Sequence, residues 1–368
     1  MISQPVSLRP FRHHGDTGDM IALSLSNMLL SFATLSLWRF WGRTKVRRQL
    51  WGDVEAWGDP VEYTGTGKEL FIGFLVVLVS VYLPLVAGYS WANLLIARRD
   101  PWGGLLAGVL YLLTVFLIYA GTYRARRYQL SRTVWRGIRG GQDGSALRFG
   151  LIATGIALLG LLSLGWTAPW GEMLLARYKM RHTRFGDRAF DCDAVARGLY
   201  RRFAAIWVAG VLCGVAIAAL IGGVATLLGT IPGLPKGPGG VSMAPAFAAI
   251  LVLFGFLPLG LIIMALPMAW YRAGFYRQLA AGTSFSGHRF SAEVRTWGLI
   301  RLFVGNLLIS LFSLGVLRPW AALRVFRFGC AMITIDGEPD FAAVAQTADT
   351  GPRSGEGLIS VLDGAGEF

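Results

Sequence analysis

The sequence predicts an all-α polytopic membrane protein with internal repeats and short cytoplasmic β-hairpins. Three observations predict this class: apolar runs of membrane length, basic segments between those runs, and a sequence pattern that recurs along the chain. Hydrophobic residues make up 54% of the chain and charged residues 15%, and the mean hydropathy is +0.52. A soluble chain of this length would need a more polar surface.

The apolar residues are grouped into runs of about the length that crosses the hydrocarbon core of a bilayer. The runs comprise residues 20–41, 70–96, 103–123, 149–170, 203–231, 243–270 and 302–317. The first run follows a polar tail and has no cleavage site of small residues, so we interpret it as an uncleaved segment rather than a signal peptide. The runs therefore predict a polytopic protein.

One stretch of sequence recurs near both ends of the chain. Residues 27–36 align without a gap on residues 306–315, and a weaker copy includes residues 161–165. Each copy combines an apolar segment, a Trp, a basic amphipathic stretch and a turn. The recurrence divides the chain into a flexible tail, two membrane repeats, a half repeat and a disordered tail: residues 1–18, 19–148, 149–296, 297–344 and 345–368.

A turn between strand-like residues follows each basic stretch. Gly-Asp at 186–187 and Asp-Gly at 336–337 stand between alternating apolar residues, which is a hairpin signal. Five segments of this kind occur in the chain. They predict either one small sheet, built by five hairpins that pair edge to edge on one membrane face, or five separate surface turns.

The formal net charge of +14 lies almost entirely between the apolar runs. In a soluble protein such a charge would suggest a nucleic-acid partner. Beside apolar runs, Lys and Arg mark cytoplasmic loops that face anionic lipids. We therefore expect a multi-pass protein of the bacterial inner membrane, with its basic loops in the cytoplasm, anionic lipids as partners and no nucleic acid.

The same charges leave two topologies open. Seven plain spans would put residues 124–148, with seven Arg and one acid, on the opposite face from residues 171–202, with eight Lys or Arg and four acids. The conflict with the positive-inside rule disappears if the runs 20–41, 149–170 and 302–317 each enter and leave by the same face. The chain then has four full spans and three re-entrant or interfacial elements.

Two sets of residues in the recurring copies are candidates for function. Polar side chains in the apolar runs are candidates for lining a polar cavity, where they would supply hydrogen-bond partners to backbone groups at a helix break in the membrane. They are Asn27, Ser31, Thr34, Asn306, Ser310 and Ser313. Tryptophan and arginine side chains are predicted to contact lipid headgroups at the interface: Trp41, Arg48, Trp170, Arg177, Trp320 and Arg327. The middle copy has Ile156 where the other two have Asn.

Residues 61–74 read Val-Glu-Tyr-Thr-Gly-Thr-Gly-Lys-Glu-Leu-Phe-Ile-Gly-Phe. This run resembles the signature of the YjgN-like family, bacterial inner-membrane proteins with a domain of unknown function. The signature residues are Glu62, Tyr63, Gly65, Gly67 and Glu69. The family also repeats the pattern of Asn, Trp, Arg, Gly and Phe, so the resemblance covers most of residues 20–340. It implies a location and an architecture and does not imply a reaction.

Several kinds of chemistry are disfavoured by the sequence. The run from Gly65 to Lys68 is not a phosphate loop, because Glu62 and Glu69 stand where that motif needs Gly and Ser or Thr. The three cysteines have neither metal-ligand spacing nor a disulfide framework. We therefore expect no metal, no cofactor and no enzymatic activity.

Two functional classes are favoured by the sequence, and a third, an integral-membrane enzyme, is disfavoured because no nucleophile, base or metal set converges. Internal repeats with broken elements are typical of transporters, so the chain could be a small-molecule or ion permease. Cytoplasmic basic hairpins instead favour a non-catalytic membrane scaffold or lipid-binding protein. The sequence leaves the substrate and a homo-oligomeric state open.

Overall fold

The structure is a computed structural model that describes residues 7–230 and 243–347. Its helices are α1 (Thr17–Ala33), α2 (Arg39–Gly52), α3 (Gly67–Val77), α4 (Leu83–Ala97), α5 (Pro101–Ser131), α6 (Ala146–Leu162), α7 (Ala168–Arg181), α8 (Tyr200–Gly229), α9 (Ala244–Ala281), α10 (Thr296–Phe312) and α11 (Arg318–Met332). A π-helical turn, Leu78–Tyr82, joins α3 to α4, next to Pro84, which cannot donate a helical hydrogen bond.

The strands are β1 (Ser7–Leu8), β2 (Phe11–His13), β3 (Val54–Ala56), β4 (Asp59–Tyr63), β5 (Thr133–Trp135), β6 (Ile138–Gln142), β7 (Thr183–Phe185), β8 (Arg188–Ala189), β9 (Asp191–Cys192), β10 (Thr283–Phe285), β11 (His288–Ala292) and β12 (Ile333–Asp336). The described chain is mostly helical, as predicted. The prediction of an all-α protein was too narrow, because the strands form two antiparallel sheets rather than isolated hairpins.

The described residues fall into two compact units. The first unit draws its described residues from 1–195, 277–293 and 306–368, and the second from 196–276 and 294–305. In the second unit α8 packs on α9 through Arg202, which donates a hydrogen bond to the carbonyl of Trp270 at 3.1 Å. The strands and the candidate site described below belong to the first unit.

The two sheets of the first unit join at their edges. One sheet has the order β2-β3-β4-β5-β6-β7-β8 and the other β1-β12-β11-β10-β9. Only residues 9–10 separate β1 from β2, and only Phe190 separates β8 from β9. Both edges of one sheet therefore continue into the edges of the other, and the strands close into a ring.

Strand alternation fills the inside of this ring with apolar side chains. Ala56, Trp135, Phe285 and Ile335 are buried, and each lies just before a turn. The ring of Phe185 lies 5.6 Å from that of Trp135 and 6.4 Å from that of Phe285. Because side chains occupy its interior, the strand ring is a packed core rather than a pore.

The predicted edge-to-edge pairing of the hairpins is confirmed, with one correction. Three turns have two consecutive residues with positive φ, as tight hairpins require: Trp57–Gly58, Arg136–Gly137 and Ser286–Gly287. Strand β12, however, is followed by no return strand in the part of the chain that the structure describes after it, residues 337–347. Its partner beyond β11 is β1 from the N-terminus. Residues 7–13, which the sequence assigned to a flexible tail, thus close the ring.

Helical segments connect strands of the ring, and we call each such segment a helical excursion. Each excursion begins and ends next to two strand residues that pair with each other. The pairs are His13 with Val54, Tyr63 with Thr133, Gln142 with Thr183, Cys192 with Thr283, and Ala292 with Ile333. Two excursions are long, α3–α5 and α8–α9, and three are short helical pairs, α1–α2, α6–α7 and α10–α11. The basic segments before the strands lie within the returning helices α2, α5, α7, α9 and α11.

Within the described residues, three helical segments are long and apolar enough to cross a membrane: Gly67–Ala97, Pro101–Ser131 and Arg197–Gly229. These segments are compatible with a membrane protein. The predicted loop at 232–240 and the tail beyond residue 347 lie outside the described residues.

Candidate anion-binding groove

A groove of about 350 Å³ lies between the α1–α2 pair and the turn that leads into α11. Its lining residues are Ser24, Asn27, Met28, Ser31, Arg39, Gly42, Arg43, Val46, Leu314, Gly315, Val316, Arg318 and Pro319. Three of these carry a guanidinium group and three a neutral polar side chain. The groove is thus large enough for a small ligand and rich in hydrogen-bond donors.

Packing between helices builds the walls of the groove. Met20 of α1, Val46 and Leu50 of α2 and Leu323 of α11 form one buried cluster. Each of these side chains is at most 1% exposed. This cluster fixes α11 against the α1–α2 pair, so Arg318 at the start of α11 is held beside the arginines of α2.

Three positively charged side chains line the groove. Arg39 and Arg43 are four residues apart on α2, so they share one face of that helix. The guanidinium of Arg39 lies 4.8 Å from the ring centroid of Phe40 and 4.9 Å from that of Phe74, which orients it. None of the lining residues is acidic. An anion that enters the groove meets charge-assisted donors.

Asn27 is both a wall of the groove and a link between helices. Its Nδ2 donates to the carbonyl of Gly42 at 3.4 Å, and its Oδ1 accepts from Trp38 Nε1 at 3.1 Å. A Cβ on Gly42 would lie 3.1 Å from Cγ of Asn27, so glycine permits the close approach of α1 and α2.

Asn306 makes the same link in the α10–α11 pair. Its Nδ2 donates to the carbonyl of Ala321 at 3.2 Å, and its Oδ1 accepts from Arg324 at 2.8 Å. Asn306 is not among the residues that line the groove. The two asparagines therefore share a linking role, and only Asn27 also faces the groove.

The remaining cavity candidates shape the breaks between paired helices. Thr34 Oγ1 accepts from the backbone N–H of Trp38 at 2.9 Å, and Ser313 Oγ accepts from that of Leu317 at 3.1 Å. The carbonyl of Ser310 accepts from Gly315 N–H at 2.7 Å. Of the predicted polar set, the structure brings only Asn27 and Ser31 to the groove.

Two of the arginines predicted to contact lipid are used inside the protein. Arg48 donates to the carbonyl of Gly65 at 3.0 Å. Arg327 donates to Thr17 Oγ1 at 3.3 Å and to the carbonyl of Gly15. Both arginines thus fasten the segment between a strand and the next helix.

The predicted interfacial tryptophans and Arg177 differ in exposure. Trp41 is 37% exposed and Trp170 is 44% exposed, while Trp320 and Arg177 are partly buried. Contact of these side chains with lipid headgroups stays a prediction.

The family-signature residues join three helices. Tyr63 Oη accepts from Arg47 at 3.3 Å. The carboxylate of Glu69 accepts from Tyr128 at 2.7 Å and from Arg132 at 2.9 Å. These bonds tie strand β4 to the returning helix α2 and the start of α3 to the end of the returning helix α5.

The glycines and Glu62 complete the signature. A Cβ would come within 2.6 Å of the Tyr63 ring at Gly65 and within 2.8 Å of Trp41 at Gly67, so both positions need glycine. Glu62 is exposed on β4. The signature therefore builds the fold around the first hairpin rather than a ligand site.

Sequence reasoning missed the functional meaning of Arg39, Arg43 and Arg318. Arg39 and Arg318 occupy equivalent positions in the first and last copies of the recurring stretch. This equivalence was the signal in the sequence that pointed to both residues. Equal register does not reveal that the two residues line one groove. In the described residues, no group of three or more His, Cys, Asp or Glu could hold a metal ion.

A family model described as a bacterial protein of unknown function (DUF898) matches residues 8–361. The chain belongs to this family. The resemblance of its signature to the YjgN-like family is consistent with the match. Neither a curated protein nor a solved structure matches the chain. The family supplies no activity, so function has to be argued from the groove and the topology.

Proposed function

We propose that this protein is a non-catalytic, multi-pass protein of the bacterial inner membrane that binds the phosphate group of an anionic lipid. The observation that carries the proposal is the convergence of Arg39, Arg43 and Arg318 on one groove. Guanidinium groups bind phosphate oxygens through paired, charge-assisted hydrogen bonds.

The strand pairing supports a topology of four full spans and three re-entrant pairs. Every helical excursion begins and ends at paired strand residues, so each one crosses the membrane an even number of times or not at all. All basic segments then lie on one face, which the positive-inside rule assigns to the cytoplasm. Seven plain spans would separate strands that are neighbours in the ring.

The ends of the short helical pairs support their insertion into the bilayer. Phe32 is 87% exposed, Leu35 90% and Leu314 92%, and all three lie at or beside the breaks. Helix α1 has 17 residues and is about 25 Å long, whereas a bilayer core is about 30 Å thick. Exposed apolar ends of this length suit helical pairs that enter the membrane and turn back.

The position of the groove supports a lipid ligand. Leu314 lines the groove and is one of the exposed apolar residues at the end of the α10–α11 pair. An arginine beside such residues is costly in hydrocarbon unless an anion or water accompanies it. A lipid phosphate compensates the charge while its acyl chains remain among the apolar ends.

Transport has less support from the structure. The asparagines on which the transport hypothesis depended link the helices of each pair, and aromatic side chains fill the strand ring. We therefore favour a lipid-binding scaffold over a permease.

Lipid retention tests the proposal. The variant R39Q/R43Q/R318Q removes the three guanidinium groups of the groove. Its matched control, R12Q/R188Q/R289Q, removes three exposed strand arginines. Lipids that remain bound to each detergent-purified protein would be identified by native mass spectrometry. We expect the groove variant to retain anionic phospholipid at least about tenfold less than the control, as loss of charged hydrogen bonds implies.

A second arm separates lipid from free phosphate. Inorganic phosphate and an anionic phospholipid are each added to delipidated protein, and their binding is compared. Lipid binding in excess of phosphate binding supports a headgroup site that also uses the acyl chains. Equal lipid retention by the groove variant, the control and the native chain would contradict the proposal.

A further inference from the structure

A short segment after the last strand crosses the mouth of the strand ring, at the end where the turns lie. We call residues 340–346 the strap. The ring of Phe341 lies 4.8 Å from those of Trp57 and Trp135. It lies 6.3 Å from that of Phe285 and 6.4 Å from that of Phe185. The anchor of the strap thus contacts aromatic residues from four hairpins.

The turn between β7 and β8 is built to receive the strap. The other hairpin turns carry glycine at their second central position: Gly58, Gly137 and Gly287. Here Gly186 comes first and Asp187 second. A Cβ on Gly186 would overlap the carbonyl oxygen of Ala345 and lie 2.7 Å from Val344 Cγ1. The strap therefore requires glycine at this position.

Asp187 makes two hydrogen bonds to the backbone of Ala345 in the strap, one from its own backbone and one through its side chain. Its backbone N–H donates to the carbonyl of Ala345 at 2.9 Å, and its carboxylate accepts from Ala345 N–H at 3.0 Å. On the neighbouring hairpin, Arg139 N–H donates to Gln346 Oε1 at 2.7 Å. The reversed position of glycine in this turn thus supplies the space for the strap, at Gly186, and hydrogen bonds to it, from Asp187.

The strap is an addition to a ring that is already complete. The ladders of both sheets are formed by the strands alone, so none of their hydrogen bonds depends on the strap. Val344 is buried, while Ala342, Ala343 and Ala345 are exposed. The strap is held by one aromatic anchor, Phe341, by one small apolar contact, Val344, and by a few hydrogen bonds. A bound peptide is held in the same way.

One donor at the mouth remains unmet. Trp57 Nε1 is buried and has no hydrogen-bond partner among the described residues, although buried donors are normally paired. A segment that offered an acceptor to this N–H would fit better than the strap does.

We propose that the mouth of the strand ring is a peptide-binding site that the strap of this chain occupies in cis and can vacate. The site takes an extended segment with a Phe anchor, a small apolar residue three positions later and a free backbone edge that pairs with Asp187. The proposal does not depend on the lipid-binding function, because it concerns other residues of the first unit.

Peptide binding to the full-length protein tests this inference. The probe is a fluorescent peptide with the sequence of residues 338–347, and its anisotropy is measured with native protein, F341A and the control F312A. Phe312 is exposed at the end of α10, far along the chain from the strap. A site occupied in cis lowers the apparent affinity for an added peptide. We expect F341A to bind at least about tenfold more tightly than native protein or F312A.

A second peptide and a second variant make the test decisive. A peptide with Ala in place of its Phe should not bind F341A. The variant V344A removes a buried contact of the strap with Gly186 and leaves both the site and the added peptide unchanged, so it should bind the native-sequence peptide more tightly than native protein does. V344A decides the question if F341A fails to fold. Absence of peptide binding to folded F341A, or to V344A where F341A is unfolded, would show that the strap is only a part of the core.

Discussion

The helical pairs α1–α2 and α6–α7 turn back through the same break. In one pair the hydroxyl of Thr34 accepts the N–H of Trp38 at 2.9 Å. In the other Ser163 accepts that of Thr167 at 3.2 Å. A leucine with positive φ follows the hydroxyl residue in both pairs. The local break is therefore shared, and its hydroxyl is part of the turn rather than of a ligand site.

The two pairs differ in what joins their helices across the break. Asn27 hydrogen-bonds to the carbonyl of Gly42 in α1–α2. Ile156 occupies the corresponding place in α6–α7 and packs against Gly171. Either a polar or an apolar contact can thus hold such a pair. A glycine faces the contact in these two pairs, whereas Ala321 faces Asn306 in α10–α11.

The charges of the two pairs differ as well. Arg39 and Arg43 of α2 correspond to Ala168 and Glu172 of α7. The α6–α7 pair thus forms the same break without arginines at these two positions, which is compatible with the proposed ligand-binding role of Arg39 and Arg43.

The largest effect on stability is expected at Gly171, which faces the β-branched side chain of Ile156. A Cβ at Gly171 would overlap Cγ2 of Ile156, and a β-branched side chain has few rotamers with which to move away. We expect G171A to lower the free energy of unfolding by about 1–3 kcal/mol, as overpacking does. Thermal melts in detergent would measure it.

Two variants are compared with G171A: the single variant G42A and the double variant G171A/I156A. G42A should have the smaller effect, because a Cβ there would meet the flexible end of Asn27 at 3.1 Å. The double variant should recover most of the loss. An unaltered melting temperature for G171A would contradict the account of tight packing in α6–α7.

The shared break predicts equal effects in the two pairs. Both T34A and S163A remove one hydrogen bond to a backbone N–H. Each should lower the free energy of unfolding by about 1 kcal/mol, as measured by the same melts. A large loss in only one pair would mean that the breaks are not equivalent.

The link across α1–α2 predicts a smaller effect. N27L removes the hydrogen bonds to Gly42 and Trp38, and hydrogen bonds between membrane helices contribute about 0.6 kcal/mol on average. We expect a small loss of stability for N27L and a similar loss for N306L. If Asn27 acted only in transport, N27L would change flux and leave the melting temperature unchanged.

Much of the fold follows from local signals in the sequence. The breaks, the hairpin turns and the basic segments of the returning helices depend on neighbouring residues, and the resemblance between the copies indicates where they recur. These features could be predicted because each depends on a short stretch of chain.

The closure of the ring and the groove could not be predicted in this way. Strand β1 is short and pairs with β12 at the other end of the chain, so no local pattern identifies its partner. Arg318 lies beside Arg39 and Arg43 because the buried cluster around Leu323 packs α11 against α1 and α2. Contacts between distant segments set both features, and spacing along one sequence does not show such contacts.

The smallest expected effect is on the pH dependence of stability, at the place where the α1–α2 pair leaves and rejoins the strand ring. Burial lowers the pKa of His13 from its ordinary value, so the unfolded chain binds a proton more readily than the folded chain does. Stability should therefore fall as pH drops through about 6.5, the ordinary value for His. Burial raises the pKa of Asp53, and that contribution has the opposite sign, since it is present at low pH and lost as pH rises.

The α6–α7 pair provides the comparison, because Gln142 occupies in β6 the place that His13 has in β2. We expect H13Q to lose part of the fall in melting temperature between pH 7 and pH 5 that the native protein shows. H182Q, which changes the histidine next to β7, is the matched control for the replacement of a histidine by glutamine. If H13Q and the native protein respond equally to pH, the buried state of His13 does not limit the stability of this pair, and the fall must come from groups that both pairs share.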